Sequence, residues 1–321
     1  MGKSQSEGRL RAGGRQFRAA LPWLLAASLT LSGCIADPNP LPFPATAGGT
    51  SPSTSDPATG GAPSSGAPLE TTQTSSKAPV YWIGRSNDDF FLYREFRDVP
   101  DQENSVTSAL RAMMSEKPLD PDFFTPWQNP KKLATSISGK NVITVDLSPD
   151  AFNSNLDAAT ADRAIQQLVY TATAAGASAG LIDAGQQLQV VILVDGHTGY
   201  LAFDHVRLGA PLSRSPGMVA PIWIIDPQEG VETGEGLVKI NGRTTVPGVK
   251  LQWRILRVEG DSDKTNYLSG EITSSTDASQ SGLFNLSVNL GPGNYEVRVF
   301  QVVPGKGDTE VNVDSRGFRV Q

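Results

Sequence analysis

A run of roughly forty positions without packing side chains limits where this chain can build a core. From Ile35 to about Ala78 it reads "IADPNPLPFPATAGGTSPSTSDPATGGAPSSGAPLETTQTSSKA", dominated by Pro, Gly, Ser, Thr and Ala. Such a segment cannot bury enough apolar surface to offset its conformational entropy, so it is expected to be a disordered tether. Pro-rich and Gly/Ser-rich pieces alternate in it, which gives a linker neither rigid nor fully random. The run "PNPLPFP" lacks a flanking basic residue and reads as linker rather than as a ligand for a proline-binding module. Any folded region must therefore come from residue 79 onward.

What precedes the tether has a different logic. Lys3, Arg9, Arg11, Arg15 and Arg18 stand against one acid, Glu7, and are followed by the apolar run "AALPWLLAASLTL". About thirteen residues fall short of the roughly twenty that cross a bilayer and match the core of an export signal. That core runs directly into Leu31-Ser32-Gly33-Cys34, which contains the single cysteine of the chain. A lone thiol forms no intramolecular disulfide. The sequence resembles the lipobox of bacterial lipoproteins, a resemblance that implies acylation of the Cys34 sulfur and cleavage just before it. Each buried methylene contributes ~0.8 kcal/mol, and more than one acyl chain gives stable anchoring. Residues 1–33 are thus expected to be a lipoprotein signal peptide and 34–78 the acylated cysteine with its tether. Cys34 is the expected lipid attachment site.

Loss of residues 1–33 removes five positive charges and one negative charge, taking the formal −6 to −10. An acidic exported chain is a poor partner for nucleic acid, which needs clustered Lys and Arg. Anionic headgroups repel it as well, so the membrane contact is expected to be made by the acyl chains on Cys34.

Beyond Pro79 the pattern becomes periodic. "VYWI" (80–83) and "FFLYREF" (90–96) read as strands. Val106, Ala109, Leu110, Met113 and Met114 fall at helical spacing, ended by Pro118. "KLATSI" and "NVITVDL" flank Ser138-Gly139-Lys140 as a hairpin. Ala161, Ala164, Ile165, Leu168, Val169 and Ala172 share the face of a second helix, with Gly176 where a C-terminal stop belongs. "LQVVILV" (188–194) is a buried strand, and "YLAF" (200–203) is expected to pair with it across Asp195-Gly196. The order predicts an α+β sheet with helices on one face. "VYWI", Val99-Pro100, "ALRAMM", Val145-Asp146-Leu147-Ser148, "QLVYT" and "VDG" in this order resemble the GerMN domain of spore-germination proteins, over about residues 79–213. That resemblance implies an exported or membrane-tethered protein, and the family has no established catalytic residues.

From about Pro221 to Gln321 helical periodicity gives way to strand-like alternation: "IWII", "GLVKIN", "KLQWRILRV", "NYLSGEIT", "GLFNLSVNL", "NYEVRVFQVV" and "RGFRV". Short strands parted by Gly, Asp, Ser and Asn predict an all-β sandwich over 221–321. Trp253, Ile255 and Phe284 are expected in its core, held by burial alone. "IIDP", "VKINGRTTVPGVKLQW" and "GLFNLSVNLGPGNYEVRVF" resemble the immunoglobulin-like domain of bacterial spore germination. Pro211, Pro216, Gly217 and Pro221 punctuate the junction, and each side has its own apolar set, so the two parts are expected to fold as separate units.

Catalytic constellations are weak. Gly176-Ala177-Ser178-Ala179-Gly180 fits G-x-S-x-G, with His197, His205, Asp183 and Asp195 downstream. A nucleophile elbow needs a strand before the serine and a helix after it, whereas here a helix enters. His197 and His205 lack the further ligands of a zinc site. Asp88, Asp89, Asp98, Asp120 and Asp122, the carboxylates a glycosidase would draw on, lie in turn-like stretches and are expected to be solvated. Dinucleotide and phosphate-loop fingerprints are absent. No catalytic residue, cofactor or metal is expected.

These readings converge on a lipid-anchored lipoprotein on the extracytoplasmic face of the cell membrane, with a non-catalytic binding or scaffolding role. The GerMN resemblance implies a link to sporulation or germination. LpqB-type lipoproteins, which also contain such a domain, imply instead a regulatory contact with an envelope sensor kinase. The competing class is a peptidoglycan hydrolase, whose mark would be a pocket with convergent polar groups and perturbed carboxylates. The expected partner is an envelope protein, with peptidoglycan as the alternative.

Overall fold

The computed structural model describes residues 77–100, 104–139, 141–182, 188–260, 263–278, 280–303, 305 and 309–321. The expected signal peptide, Cys34 and the expected tether through residue 76 lie outside the described residues. The described residues belong to one compact unit.

The first region opens with β1 (Ala78–Ser86) and β2 (Asp89–Arg97), an antiparallel hairpin turned at Asn87 with φ 55°. Helix α1 (Ser105–Ser115) follows, capped by Asn104, whose side chain accepts from Thr107 N at 3.0 Å. Next come β3 (Phe123–Phe124), β4 (Leu133–Ser138) and β5 (Val142–Leu147). Helix α2 (Ala158–Ser178) is capped by Asp157 and leads to β6 (Gln189–Val194). A short hairpin, β7 (Leu201–Ala202) with β8 (Val206–Arg207), ends the region. The strands form two three-stranded sheets, β2-β1-β3 and β4-β5-β6, with both helices packed between them in one core. The α+β expectation holds, but as two sheets rather than one.

Two details differ from the expected pattern. β6 pairs in parallel with β5 through the α2 crossover, and "YLAF" turns away to supply β7, which pairs with β8 instead. Phe203 and Asp204 take positive φ there, so that hairpin closes on itself. Gly176 is not the stop: α2 continues past it, and a Cβ at this buried position would meet Ile182 Cδ1 at 3.0 Å. The left-handed residue that ends the helix is Gly180, φ 67°.

α2 also completes β1. β3 covers only Ile83 and Gly84, which leaves the backbone at Tyr81 without a strand partner on that edge. Buried Gln167 donates from Nε2 to Tyr81 O at 2.8 Å, and Thr171 Oγ1 accepts from Tyr81 N at 3.1 Å. These polar residues, on an otherwise apolar helix face, satisfy groups that burial would leave unpaired.

The second region is β-rich: β9 (Ile222–Asp226), β10 (Val231–Thr233), β11 (Gly236–Thr244), β12 (Lys250–Glu259), β13 (Asp263–Thr273), β14 (Leu283–Leu290), β15 (Gly293–Val302) and β16 (Glu310–Val320). A five-stranded sheet, β10-β16-β15-β12-β13, and a three-stranded sheet, β14-β11-β9, enclose one core. Ile255 and Phe284 are buried in it, and Trp253 packs at its margin against Gly270, whose missing Cβ leaves room for the indole. β10, absent from the expected strands, pairs in parallel with β16.

The two regions share a strand and a charge cluster. Along β9, Ile222 and Ile224 enter the second core while Trp223 enters the first, as the period of a strand requires. Val219 and Ala220, from the junction segment, also belong to the first core. On β16 the inward positions run Asp314, Arg316, Phe318, Val320, the last two in the second core. Asp314 and Arg316 lie where the first region covers the sheet. Arg316 Nη1 donates to Asp314 Oδ1 and to Asp120 Oδ2, both at 2.8 Å, and its guanidinium sits 4.9 Å from the Phe123 ring centre. Asp120, expected to be solvated, is therefore buried at 5 % exposure as the counterion of a residue 196 positions away. Glu95 beside it accepts from the N–H groups of Leu119 and Asp120. Asp314 Oδ2 accepts from Ile224 N, and Glu229 Oε2 accepts from Gly317 N, both at 2.6 Å.

More carboxylates than guanidiniums meet here, out of water. Burial raises the pKa of Glu95 and Asp120, and it pushes Asp314 up to about 6 and Glu229 up to about 7, against the opposing pull of Arg316. A carboxyl that binds its proton more tightly folded than unfolded adds stability at low pH. That contribution is lost as pH rises through the folded value.

Two outcomes are expected. Arg316→Ala strands Asp314 and Asp120 without a counterion and should cost about 3–5 kcal/mol in urea unfolding. The stability difference between wild type and Glu229→Gln should change between pH 4.5 and pH 7, wild type losing relative to the variant as pH rises. A difference that stays flat across this window would contradict the assignment.

Candidate functional site

Where α2 meets β9 and β11, the surface opens into a small cleft of roughly 120 Å3. Tyr170 of α2 forms one wall, Arg214, Pro216 and Val219 of the junction segment another. Trp223 of β9, Arg243 and Thr244 of β11, and Thr245, Pro247 and Ser281 complete the lining.

The junction segment is tied to α2 at fixed points. Gln166 accepts from Ser215 N at 2.9 Å and donates to Ser213 O at 3.2 Å, and Tyr170 Oη donates to Ser215 O at 2.9 Å. Arg214 between them stacks 4.6 Å from the Tyr170 ring centre, donates from Nε to Thr173 Oγ1 at 2.8 Å and from Nη2 to Tyr170 O at 3.2 Å. Its plane is set by neutral groups; no carboxylate pairs with it among the described residues.

Arg243 arrives by strand register. On β11 the residues Val238, Ile240, Gly242 and Thr244 point into the second core, so Lys239, Asn241 and Arg243 face outward. Arg243 stands directly opposite Trp223 of β9, which brings the two side chains to the same face at cross-strand distance. Among the described residues the side chain of Arg243 has neither a hydrogen bond nor an ion pair. Trp223 is 5 % exposed, and its indole N–H has no acceptor there. The cleft thus offers two guanidiniums, apolar walls and hydroxyls, with no Asp, Glu or His in its lining. Its chemistry favours a small anion with an apolar body.

The residues singled out in the sequence lie elsewhere. Cys34 and Asp183 are outside the described residues. Ser178 is the last residue of α2, reached from a helix rather than a strand. Asp195 and His197 share the turn after β6, where His197 Nδ1 lies 2.8 Å from Asp195 O. His205 Nε2 lies 2.8 Å from Leu156 O. Nearby, Asp146 accepts from Gly196 N and pairs with Lys132 at 2.7 Å. Burial pulls its pKa upward, but these two partners more than offset that and leave it lowered. Asp88, Asp89 and Asp98 pair with Arg85, Arg163 and Lys77. No group of three or more His, Cys, Asp or Glu that could hold a metal ion occurs among the described residues. The carboxylates with the most raised pKa values, Asp314 and Glu229, sit in the buried cluster and do not line the cleft.

Arg214, Arg243 and Trp223 were not legible as a site. The alternation of "IWII" separates Trp223 from Ile222 and Ile224, and that of "VKINGRT" turns Arg243 outward. Only the register between the two strands puts them together.

Comparison with known proteins bears on the first region. Residues 79–199 match the family model Germane, described as sporulation and spore germination. No curated protein matches the chain. Among solved structures, the tandem GerMN domains of the sporulation protein GerM from Bacillus subtilis align at 15 % identity and TM-score 0.34, covering 43 % of this chain and 45 % of that one. The present chain therefore spans less than half of that tandem structure. The first GerMN domain of the same protein aligns at 14 % identity and TM-score 0.33, over 44 % of this chain and 98 % of that one. Domain 1 of VCBP3 from Branchiostoma floridae aligns at 11 % identity and TM-score 0.20, over 31 % and 93 %. The region built on β1, β2, α1 and α2 is a Germane, or GerMN, domain occupying residues 79–199.

Proposed function

We propose that this protein is a lipid-anchored lipoprotein of the cell envelope that binds or scaffolds a partner rather than catalysing a reaction. The observation that carries the reading is the Germane domain at 79–199, and the sequence before it, which we read as an export signal, a lipobox and a tether, supports the envelope assignment. The family is linked to sporulation and germination, and we assign this chain a role of that kind. We read the β-rich region that follows as the immunoglobulin-like domain expected from its motifs; its two facing sheets support this. Acylation would hold Cys34 at the extracytoplasmic face of the membrane. A tether of forty-odd residues would give the folded region a reach of about 35 Å. Within that volume tethering raises the effective concentration at a partner, so a weak interface suffices.

Cys34→Ser decides the anchor. With a clickable fatty acid fed to cells, the wild type should be labelled and processed. The variant should lose the label and keep its signal. A variant that still partitions into membranes at the mature size of the wild type would overturn the lipoprotein reading. Hydrolysis of purified cell wall by the wild-type protein would overturn the non-catalytic role.

A further inference from the structure

We propose that the cleft between α2 and the β9–β11 face binds the C-terminal carboxylate of a short peptide with small apolar side chains. This names the ligand chemistry for the binding role proposed above and rests on that role, but not on the lipid anchor.

Charge is the first argument. Acids outnumber bases in this chain, 33 to 27, and Arg97, Arg163, Arg254, Arg298, Arg316 and Arg319 all have carboxylate partners. Arg214 and Arg243 line one cleft and have none among the described residues. Arg243 is partly buried, so its charge gives up hydration without compensation until an anion arrives. Nothing acidic in the lining competes for the place.

Geometry narrows the anion. Arg214 is held in one plane by its stack on Tyr170 and its bond to Thr173, which leaves little side-chain entropy to lose on binding. Planar guanidiniums match a carboxylate through paired N–H···O bonds. A bare inorganic anion would leave the exposed Pro216 and Pro247 facing water. The ligand therefore has an apolar body beside its charge. The hydroxyls of Thr245 and Ser281 suit the adjacent peptide amide. A cleft of about 120 Å3 takes the small terminal residue of a peptide, not a polymer.

The test is calorimetry on the full-length protein in detergent, with N-acetyl-Ala-Ala, its C-terminal amide and inorganic phosphate as probes. The free acid should bind saturably, and the amide more weakly by about tenfold or more. Arg243→Gln should weaken the acid by a similar factor without lowering the thermal midpoint, since that side chain has no partner among the described residues. Arg243→Lys should recover part of the loss. Absence of heat with the acid up to millimolar concentration, equal affinity for acid and amide, or full affinity in Arg243→Gln would each overturn the proposal. Phosphate binding as tightly as the acid would overturn the peptide assignment. Fatty-acid labelling of Cys34 is read separately, so failure here leaves the anchor standing, and failure there leaves the cleft standing.

Discussion

A guanidinium placed where a core side chain belongs governs the way this molecule is put together. Arg316 follows the inward rhythm of β16 two positions before Phe318 and Val320, yet it cannot be buried against its own sheets as they are. Asp314 neutralises it from the same strand, but one carboxylate leaves donors unpaired. Asp120 and the face of Phe123 close the site from the GerMN domain. Even so, Nη2 of Arg316 remains buried without a partner among the described residues. A well-packed apolar contact at this point would be as stable or more so. The ion cluster instead makes the fit between the two regions specific, because a shifted docking would bury charges without partners.

β9 has the apolar counterpart of this role. Its residues alternate between two cores, so it is a structural strand of the second region and a packing element of the first. The junction segment before it, with its prolines, resembles a linker in composition but supplies Val219 and Ala220 to the first core. Gln228 Oε1 beyond it accepts from Phe96 N at 2.9 Å, which extends the bond between the regions past the end of the strand. The cleft is a by-product of this seam: Tyr170 comes from one side, Arg243 from the other, and the fixed Arg214 lies between.

How far the sequence leads depends on whether a signal is local. Helical spacing located α1 and α2, and period-2 alternation located most strands, because each is written within one element. What lay beyond reach needed a partner to be known. Asp120 sits in "KPLDPD", a turn by every local criterion, and only β16 turns it into a buried counterion. Gly176 looks like a helix stop until Ile182 is seen packed against it. β10 is three residues long and exists because β16 offers an edge. The cleft was hidden for the same reason: alternation says that Trp223 and Arg243 leave the second core, but not that a helix from another region covers one and leaves the other open.

The ligand proposed for the cleft would touch both sides of the seam at once, Arg214 from the junction segment and Arg243 from β11. By mass action such a ligand stabilises the docked arrangement by RT ln(1 + [L]/Kd), about 2.7 kcal/mol at a hundredfold excess over Kd. The buried carboxylates act on the same arrangement from the other side, since a rise in pH loosens it as Asp314 and Glu229 lose their protons. The cleft and the charge cluster share no lining residue, yet both lie along the seam between the two regions. Strands of the β-rich region hold both in place, β9 and β11 at the cleft and β16 at the cluster.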